Sequence, residues 1–508
     1  MRKLNFLVLT GLILLNAACK KSEQTSLVNG QPKSSKPVTL GSAAGDVVGK
    51  LTVGYQGWFL AAGDGSKFNS FQHTNLEAWP DTRQYTTTYG NVQFNQAGVL
   101  QPPFTGTLNN GQPARMFSNW DQSTVNLHFS WMQQNGIDCV ALQRFIGHIS
   151  DPRVLDQING VATRVKNAAE QYGRKFYMMY DCSATDPLQS DWNTNIVNLL
   201  HITSSPSYAQ QNGKPVICFY GIGKSDRGAT ADWINTINTF KNMGFYVIGA
   251  VQGNFTSGNY LSAVNACDMI MSWMVGRSNN TNFQSVYTTE LNYCNSNNLD
   301  YQADIFPGFA YSNSNTSKPQ NEIKRMHGDF MWSQFAGAKT AGVPSVYVSM
   351  FDEANEATSI FNCAEDNTMI PAGKYFYTLD ADGTHVTSDF YLRLTNDGGK
   401  MIKGQIPFTA THPTPHTFTP PSSLTPHVLS NSSIQINWSA VTGAPCYNLK
   451  RSLTHGGPYS TVVSGYSGGG FTDTGLSPNT TYYYVVTTGR YNASESVIST
   501  EVNGKTTN

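Results

Sequence analysis

A (β/α)8 barrel followed by an all-β sandwich is the fold class this sequence predicts, and three observations predict it. Eight short runs rich in apolar, β-branched and aromatic residues lie between residues 51 and 351, most of them separated by stretches of helical spacing. Strands alternating with helices form parallel βα units. The last run, 345–351, ends abruptly in Asp352, Glu353, Asn355 and Glu356. That is how a barrel strand delivers acidic groups to its C-terminal mouth. Beyond residue 422 the helical spacing stops, and short alternating strands with turn residues between them run to the end, the pattern of a small sandwich.

The barrel strands are expected at 51–59, 137–145, 175–183, 215–223, 245–252, 268–275, 304–311 and 345–351. Helical patterns fall at 124–135, 153–172, 191–202, 230–243, 282–298 and 323–341, with a short fifth connection near 259–266 and an eighth helix at 389–403. Eight such units fit a barrel with insertions. The largest insertion, 61–118, is rich in Asn, Gln, Thr and Pro and is expected to fold over the mouth.

The chain of 508 residues carries 33 basic and 33 acidic side chains, and charged residues make up only 13%. That excludes the basic excess of a nucleic-acid binder. Aromatics reach 12%, alongside many Gly, Asn, Ser and Thr residues, a mix suited to neutral polar ligands such as sugars. Arg2 and Lys3 precede an apolar run at 6–15 and then Asn16, Ala17, Ala18 and Cys19. This reads as a lipoprotein signal peptide over 1–19, with Cys19 lipidated as the mature N-terminus; the apolar run is too short to span a bilayer comfortably. The expected location is the cell envelope, lipid-anchored at an outer membrane or cell surface, with the periplasmic side also open. Residues 20–45 read as a flexible tether, 46–406 as the barrel domain, 407–421 as a Pro/Thr-rich linker and 422–508 as the sandwich. The remaining cysteines have no CxxC spacing, so neither a disulfide framework nor a zinc site is expected, and no metal or cofactor is assigned.

Polar and aromatic residues gather at the strand ends, where a barrel places its site. They are Tyr55, Gln56 and Trp58; Gln143 and Arg144; Tyr180 and Asp181; then Tyr220, Gln252, Trp273, Phe309 and Tyr311. Aromatic faces stack on the apolar faces of sugar rings, while amide, guanidinium and carboxyl groups bond hydroxyls. Each has a structural alternative. Arg144 can pair with a barrel carboxylate, Asp181 can cap a helix, and Trp58 and Trp273 can roof the barrel. Asp64 and His73 follow the first strand and can reach the mouth as ligand contacts, although the Gly-Asp-Gly around Asp64 is also an ordinary turn. Asp352 stands at the end of the last strand. His128, at helical spacing from Trp131, reads as a packed, hydrogen-bonded histidine.

Glu353 and Glu356 are three residues apart. On a strand they would face opposite ways. In a helical or turn geometry they share a side, with β-carbons about 5–6 Å apart. Two carboxyls that close resist double ionisation, so one holds its proton more tightly, which makes an acid and a base from one segment. The alternative is a solvated acidic loop capping the next helix.

Two resemblances add to this. Trp438, Tyr447-x-Leu449-x-Arg451, Leu476 with Tyr482 six residues on, and Tyr484-x-Val486 resemble a fibronectin type III domain over 422–508, usually a spacer. The barrel motifs are GYQGWF with GDGS, Trp79-Pro80-Asp81, HFSWMQQNGID, QRF, MSWMVGR, FPGFAY, FMWSQ and MFDEANEATSIF. Spread over nearly all of 50–405, they resemble glycoside hydrolase families 71 and 99, and similar sequences also carry xylosidase or arabinosidase labels. The resemblance implies a metal-independent, retaining barrel enzyme cutting an α-mannan-like glycan. It implies Glu356 as the general acid and Glu353 as the base that deprotonates the substrate's own 2-hydroxyl. Phe351-Asp352, Ala354 and Asn355 depart from the aromatic and histidine residues of the family 99 motif. The expected partner is a polysaccharide or oligosaccharide, with membrane contact only through the lipid and no nucleic acid. The alternative function is a non-catalytic glycan-binding surface lipoprotein.

Overall fold

The computed structural model describes residues 42–441, 444, 446–489 and 495–508. The expected leader with Cys19 and most of the expected tether lie outside the described residues.

Eight parallel strands close on themselves: β1 (Leu51–Tyr55), β2 (Cys139–Phe145), β3 (Lys175–Asp181), β4 (Lys214–Ile222), β5 (Tyr246–Gln252), β6 (Met269–Trp273), β7 (Asp300–Ile305) and β8 (Ser345–Val348). Each pairs in parallel with the next, and β8 pairs with β1 to seal the ring; a short extra strand, Gln210–Gln211, pairs antiparallel with the start of β4. The helices are α1 (Gln122–Gln134), α2 (Pro152–Tyr172), α3 (Leu188–Asp191), α4 (Thr230–Asn242), α5 (Leu261–Ala266), α6 (Phe283–Ser296), α7 (Asp329–Ala341) and α8 (Phe390–Ile402). Alternation along the strands sends one set of side chains into the barrel and the other against the helices.

The barrel interior is packed. Low in it, Gln302 Nε2 donates to Thr52 Oγ1 at 3.2 Å. Above that, the Tyr347 hydroxyl lies among Gln143 Nε2 (3.4 Å), Met179 Sδ (3.6 Å) and Met350 Sδ (3.6 Å). Gly54 makes room for this layer: a β-carbon there would stand 2.2 Å from Tyr347 Oη and 2.3 Å from Met350 Sδ.

Several boundaries differ from expectation. The run at 304–311 is a strand four residues earlier, over Asp300–Ile305. Its two aspartates are tolerated because both are bonded: Asp300 accepts the Tyr246 hydroxyl at 2.5 Å, and Asp304 accepts Ser349 Oγ at 2.6 Å and Met274 N–H at 2.7 Å. The helix expected at 191–202 is the short α3 continued as a π-helix over Trp192–Leu199. The helix expected from 323 begins at Asp329, after a kink at His327. The end of the expected tether is pinned rather than free. Ser42 N–H donates to Asp300 Oδ1 at 2.7 Å, and Ala43 O accepts Gln211 Nε2 at 2.8 Å. The linker region is also held: Thr409 O accepts Trp332 Nε1 at 3.0 Å, Pro415 O accepts Arg393 Nη1 at 2.8 Å, and Arg393 lies over the Phe418 ring.

Among the described residues, seven strands make the sandwich: β9 (Thr425–Val428), β10 (Ser433–Asn437), β11 (Tyr447–Ser452), β12 (Ser460–Tyr466), β13 (Gly470–Thr474), β14 (Thr481–Thr488) and β15 (Val502–Lys505). They form one sheet in the order β9-β10-β13 and another in the order β12-β11-β14-β15, the two-sheet arrangement of a fibronectin type III fold. Ile434, Ile436, Trp438, Leu449 and Tyr484 fill its core. The Tyr482 hydroxyl accepts Ser477 N–H at 2.9 Å, closing the corner that Leu476 and Tyr482 mark in the sequence.

Candidate active site

All eight strands, or the turns that follow them, contribute to one cavity of about 400 Å3 at the C-terminal end of the barrel. Gln56, Trp58, Gln143, Asp181, Tyr220, Gln252, Trp273, Phe309, Glu353 and Glu356 all line it, each one singled out from the sequence.

The two glutamates reach it from a compact turn. Ala357 N–H donates to Ala354 O, and the N–H groups of Thr358 and Ser359 both donate to Glu353 O at 3.1 Å. Glu356 O accepts Ala310 N–H at 3.0 Å, tying the turn to the loop after β7. This turn replaces the strand's alternation and lets both carboxyls face the cavity. Burial raises both above the ordinary carboxylate range. For Glu353 the negative charge of Glu356 adds to burial, while a hydrogen bond from Gln56 Nε2 opposes it. For Glu356 the nearby Lys224 ammonium opposes burial. The pair therefore holds a proton at pH values where an exposed glutamate has lost it.

Five of the expected contacts lie elsewhere. Tyr55 and Arg144 neighbour Gln56 and Gln143 in sequence, so alternation turns them away from the cavity toward the helices. The Tyr55 hydroxyl meets His128 Nδ1 at 2.9 Å and accepts Asn119 Nδ2 at 2.9 Å. Arg144 makes two 2.6 Å bonds to Asp191 of α3, and both side chains are fully buried. Asp64 organises its own turn, accepting the N–H groups of Ala61 and Ser66 at 2.9 and 2.8 Å and the Ser118 hydroxyl at 2.7 Å. Asp352 lies beneath the cavity, where it accepts the N–H groups of Gln56 and Gly57; burial pushes its carboxyl up to about 7.

His73 does not line the cavity either. Its ring stacks on Trp58 at 3.9 Å and 11°, and burial pushes it down to about 4, so it is neutral near pH 7. Phe145 stacks at 5.2 Å from Trp58. Asp181 is held by Arg227 at 2.6 Å rather than by a helix N-terminus. His128 is packed between two tyrosine hydroxyls, with Tyr85 at 2.7 Å from Nε2.

Sequence reasoning misses Phe145, Lys224, Val275 and Gly276, which also line the cavity. Phe145 is available from alternation, two residues beyond Gln143. Lys224 sits in the turn after β4 with its ammonium 4.6 Å from the Tyr220 ring centroid; a lone lysine in a turn reads as solvated. Among the described residues, no group of three or more His, Cys, Asp or Glu side chains is arranged to hold a metal ion.

No protein-family model matches the chain. An amylopullulanase of Thermoanaerobacter thermohydrosulfuricus is 35% identical over 75 residues, 15% of this chain and 5% of that protein's length. Two solved structures of a GH99 endo-alpha-mannosidase from Bacteroides thetaiotaomicron superpose with TM-scores of 0.53 and 0.51, at 11% and 12% identity. They cover 71% and 70% of this chain and 98% of each of those chains. At that identity the likeness is one of fold, and it agrees with the closed parallel barrel.

Proposed function

We propose that this protein is a glycoside hydrolase acting on an α-linked, α-mannan-like glycan, with Glu353 and Glu356 as its acid–base pair. One observation carries the reading. Two carboxyls from a single turn line the same aromatic and amide-rich cavity, and burial raises both. The barrel's likeness to endo-alpha-mannosidase structures supports the substrate class.

The route implied by the family resemblance balances as follows. Glu353 takes the proton of the sugar's 2-hydroxyl, and the resulting oxygen attacks the anomeric carbon. The glycosidic bond breaks, and the leaving oxygen takes a proton from Glu356. Glu356 then deprotonates water, which attacks the same carbon; the bond between that carbon and the 2-oxygen breaks, and the 2-oxygen recovers its proton from Glu353. This departs from the usual enzyme-nucleophile scheme. It starts with the proton on Glu356, and burial raises both carboxyls, which keeps a proton available to the pair. The leader supports placement in the cell envelope through a lipid on Cys19.

Glu353→Gln and Glu356→Gln should each lower polymer hydrolysis by at least about 10²–10⁴-fold while leaving the thermal transition in place. A glycoside with a good leaving group should restore the first step in whichever variant lacks the acid. Full hydrolysis by folded Glu356→Gln would remove the assignment. Saturable glycan binding by the wild type without release of reducing ends would instead support a binding protein.

A further inference from the structure

The loop after β7 reaches two cavities. Near its start Phe309 lines the catalytic one. Further on, Gln320, Asn321 and Lys324 line a second, together with Gln96 from the first insertion and Lys374 and Tyr375 from the loop after β8. The two cavities share no lining residue, and the second is the larger, about 780 Å3 against about 400 Å3. A smaller hollow of about 250 Å3 adjoins it through Gln96, Gln320 and Tyr375. All these segments follow barrel strands, so the groove is built from loops of the same C-terminal end. Phe309 and Ile323 exchange backbone bonds at 3.0 and 2.8 Å, which fixes the two ends of the shared loop against each other.

We propose that this groove is a second glycan-binding site, one that holds a polymer chain without cutting it. No Asp, Glu or His lines it, so it has no acid–base pair. The amides of Gln96, Gln320 and Asn321 each offer donors beside an acceptor, the arrangement that neighbouring sugar hydroxyls satisfy. Asn321 Nδ2 is committed to Asp382 at 3.0 Å, while its Oδ1 is buried without a partner. A buried acceptor left unmet is costly, and a ligand hydroxyl is the donor that meets it. Tyr375 adds an aromatic face. Lys324 and Lys374, with no carboxylate in the lining, accommodate an anionic substituent on the glycan. The volume lies within the range of small-ligand sites, roughly 300–1,000 Å3. The choice of a glycan as ligand class rests on the proposed function.

The test is affinity electrophoresis of the full chain in gels containing neutral α-mannan, phosphate-bearing mannan, α-glucan or xylan. Glu356→Gln serves as the background, so that no polymer is consumed. Two groove variants are compared with it: Tyr375→Ala, at a half-buried ring, and Gln320→Ala combined with Lys324→Ala, two exposed side chains whose loss should spare folding. At least one polymer should retard the background protein, and each groove variant should weaken that retardation about tenfold, or about 1.4 kcal/mol, with an unchanged melting temperature. If retardation needs the phosphate-bearing polymer, Lys324→Ala with Lys374→Ala should abolish it; if neutral mannan suffices, that pair should leave it intact. Unchanged retardation in both groove variants, or no retardation of the background by any polymer, overturns the proposal. Loss of retardation in the groove variants, with no polymer cut by the wild type, keeps the groove and removes the hydrolase.

Discussion

Asp352 accepts the backbone N–H of Gln56 at 2.7 Å, a bond that joins the exit of the last barrel strand to the exit of the first. The second oxygen of Asp352 takes the N–H of Gly57 at 2.9 Å. Gln56 in turn donates its side-chain amide to Glu353. The orientation of one glutamate is thus set through Gln56 by a carboxylate that never reaches the cavity. Asp352→Ala strands both N–H groups and should cost about 1–3 kcal/mol of stability. Turnover should fall by at least about tenfold, because small misplacements of a catalytic group are expensive. Asp352→Asn keeps one acceptor and should fall between. Thermal denaturation and steady-state kinetics check both.

Lys224 offers a way to tell the roles of the pair apart. Its positive charge favours the ionised form of Glu356, so Lys224→Met should raise the pKa of Glu356. If Glu356 is the acid, the basic limb of the kcat/KM profile moves to higher pH; if it is the base, the acidic limb does. A profile that does not move removes Lys224 as a determinant of the pair.

Burial pushes Asp304 up to about 7 against the pull of hydrogen bonds from Ser349 and Met274. A carboxyl whose folded pKa is raised binds its proton more tightly in the folded state than in the unfolded one. Its contribution is therefore full below the unfolded pKa near 4 and is lost as pH rises through about 7. Asp352 has the same sign. The melting temperature should fall between about pH 4 and pH 7, and Asp304→Asn should flatten that slope. Scanning calorimetry across this window measures it.

Arg144 and Asp191 are a buried pair away from the cavity. Arg144→Leu takes the guanidinium from Asp191 and leaves it only the Tyr180 hydroxyl at 2.7 Å and Asn195 Nδ2 at 2.8 Å, and should cost about 3–5 kcal/mol. Replacing both partners with apolar residues should recover much of that. The variant that still folds should bind glycan with unchanged affinity, a comparison that separates packing from recognition.

The barrel was legible because its signals are local: apolar runs of strand length, helical spacing between them, and polar groups at the run ends. The acidic turn was legible as a candidate from the spacing of Glu353 and Glu356 at the end of an apolar strand, with a solvated capping loop as the alternative. Less visible was which neighbour on a strand faces inward. Gln143 and Arg144 look equally suited to a sugar, and only the barrel's closure turns Arg144 toward α3. Asp300 hid the start of β7 because an isolated carboxylate reads as loop, whereas the Tyr246 hydroxyl makes it acceptable inside. Lys224 carried no signal of its own, since its importance comes from lying near a residue over a hundred positions away. The linker region read as unattached because its partners, Trp332 and Arg393, belong to helices whose outer faces the sequence does not reveal.

Tyr347, Met179 and Met350 stop the tube just below the carboxylates. That packing closes the cavity toward the far end of the barrel. Under the proposed function, glycan enters and leaves at the C-terminal mouth, so released product should compete with fresh substrate there and slow turnover as a competitive inhibitor.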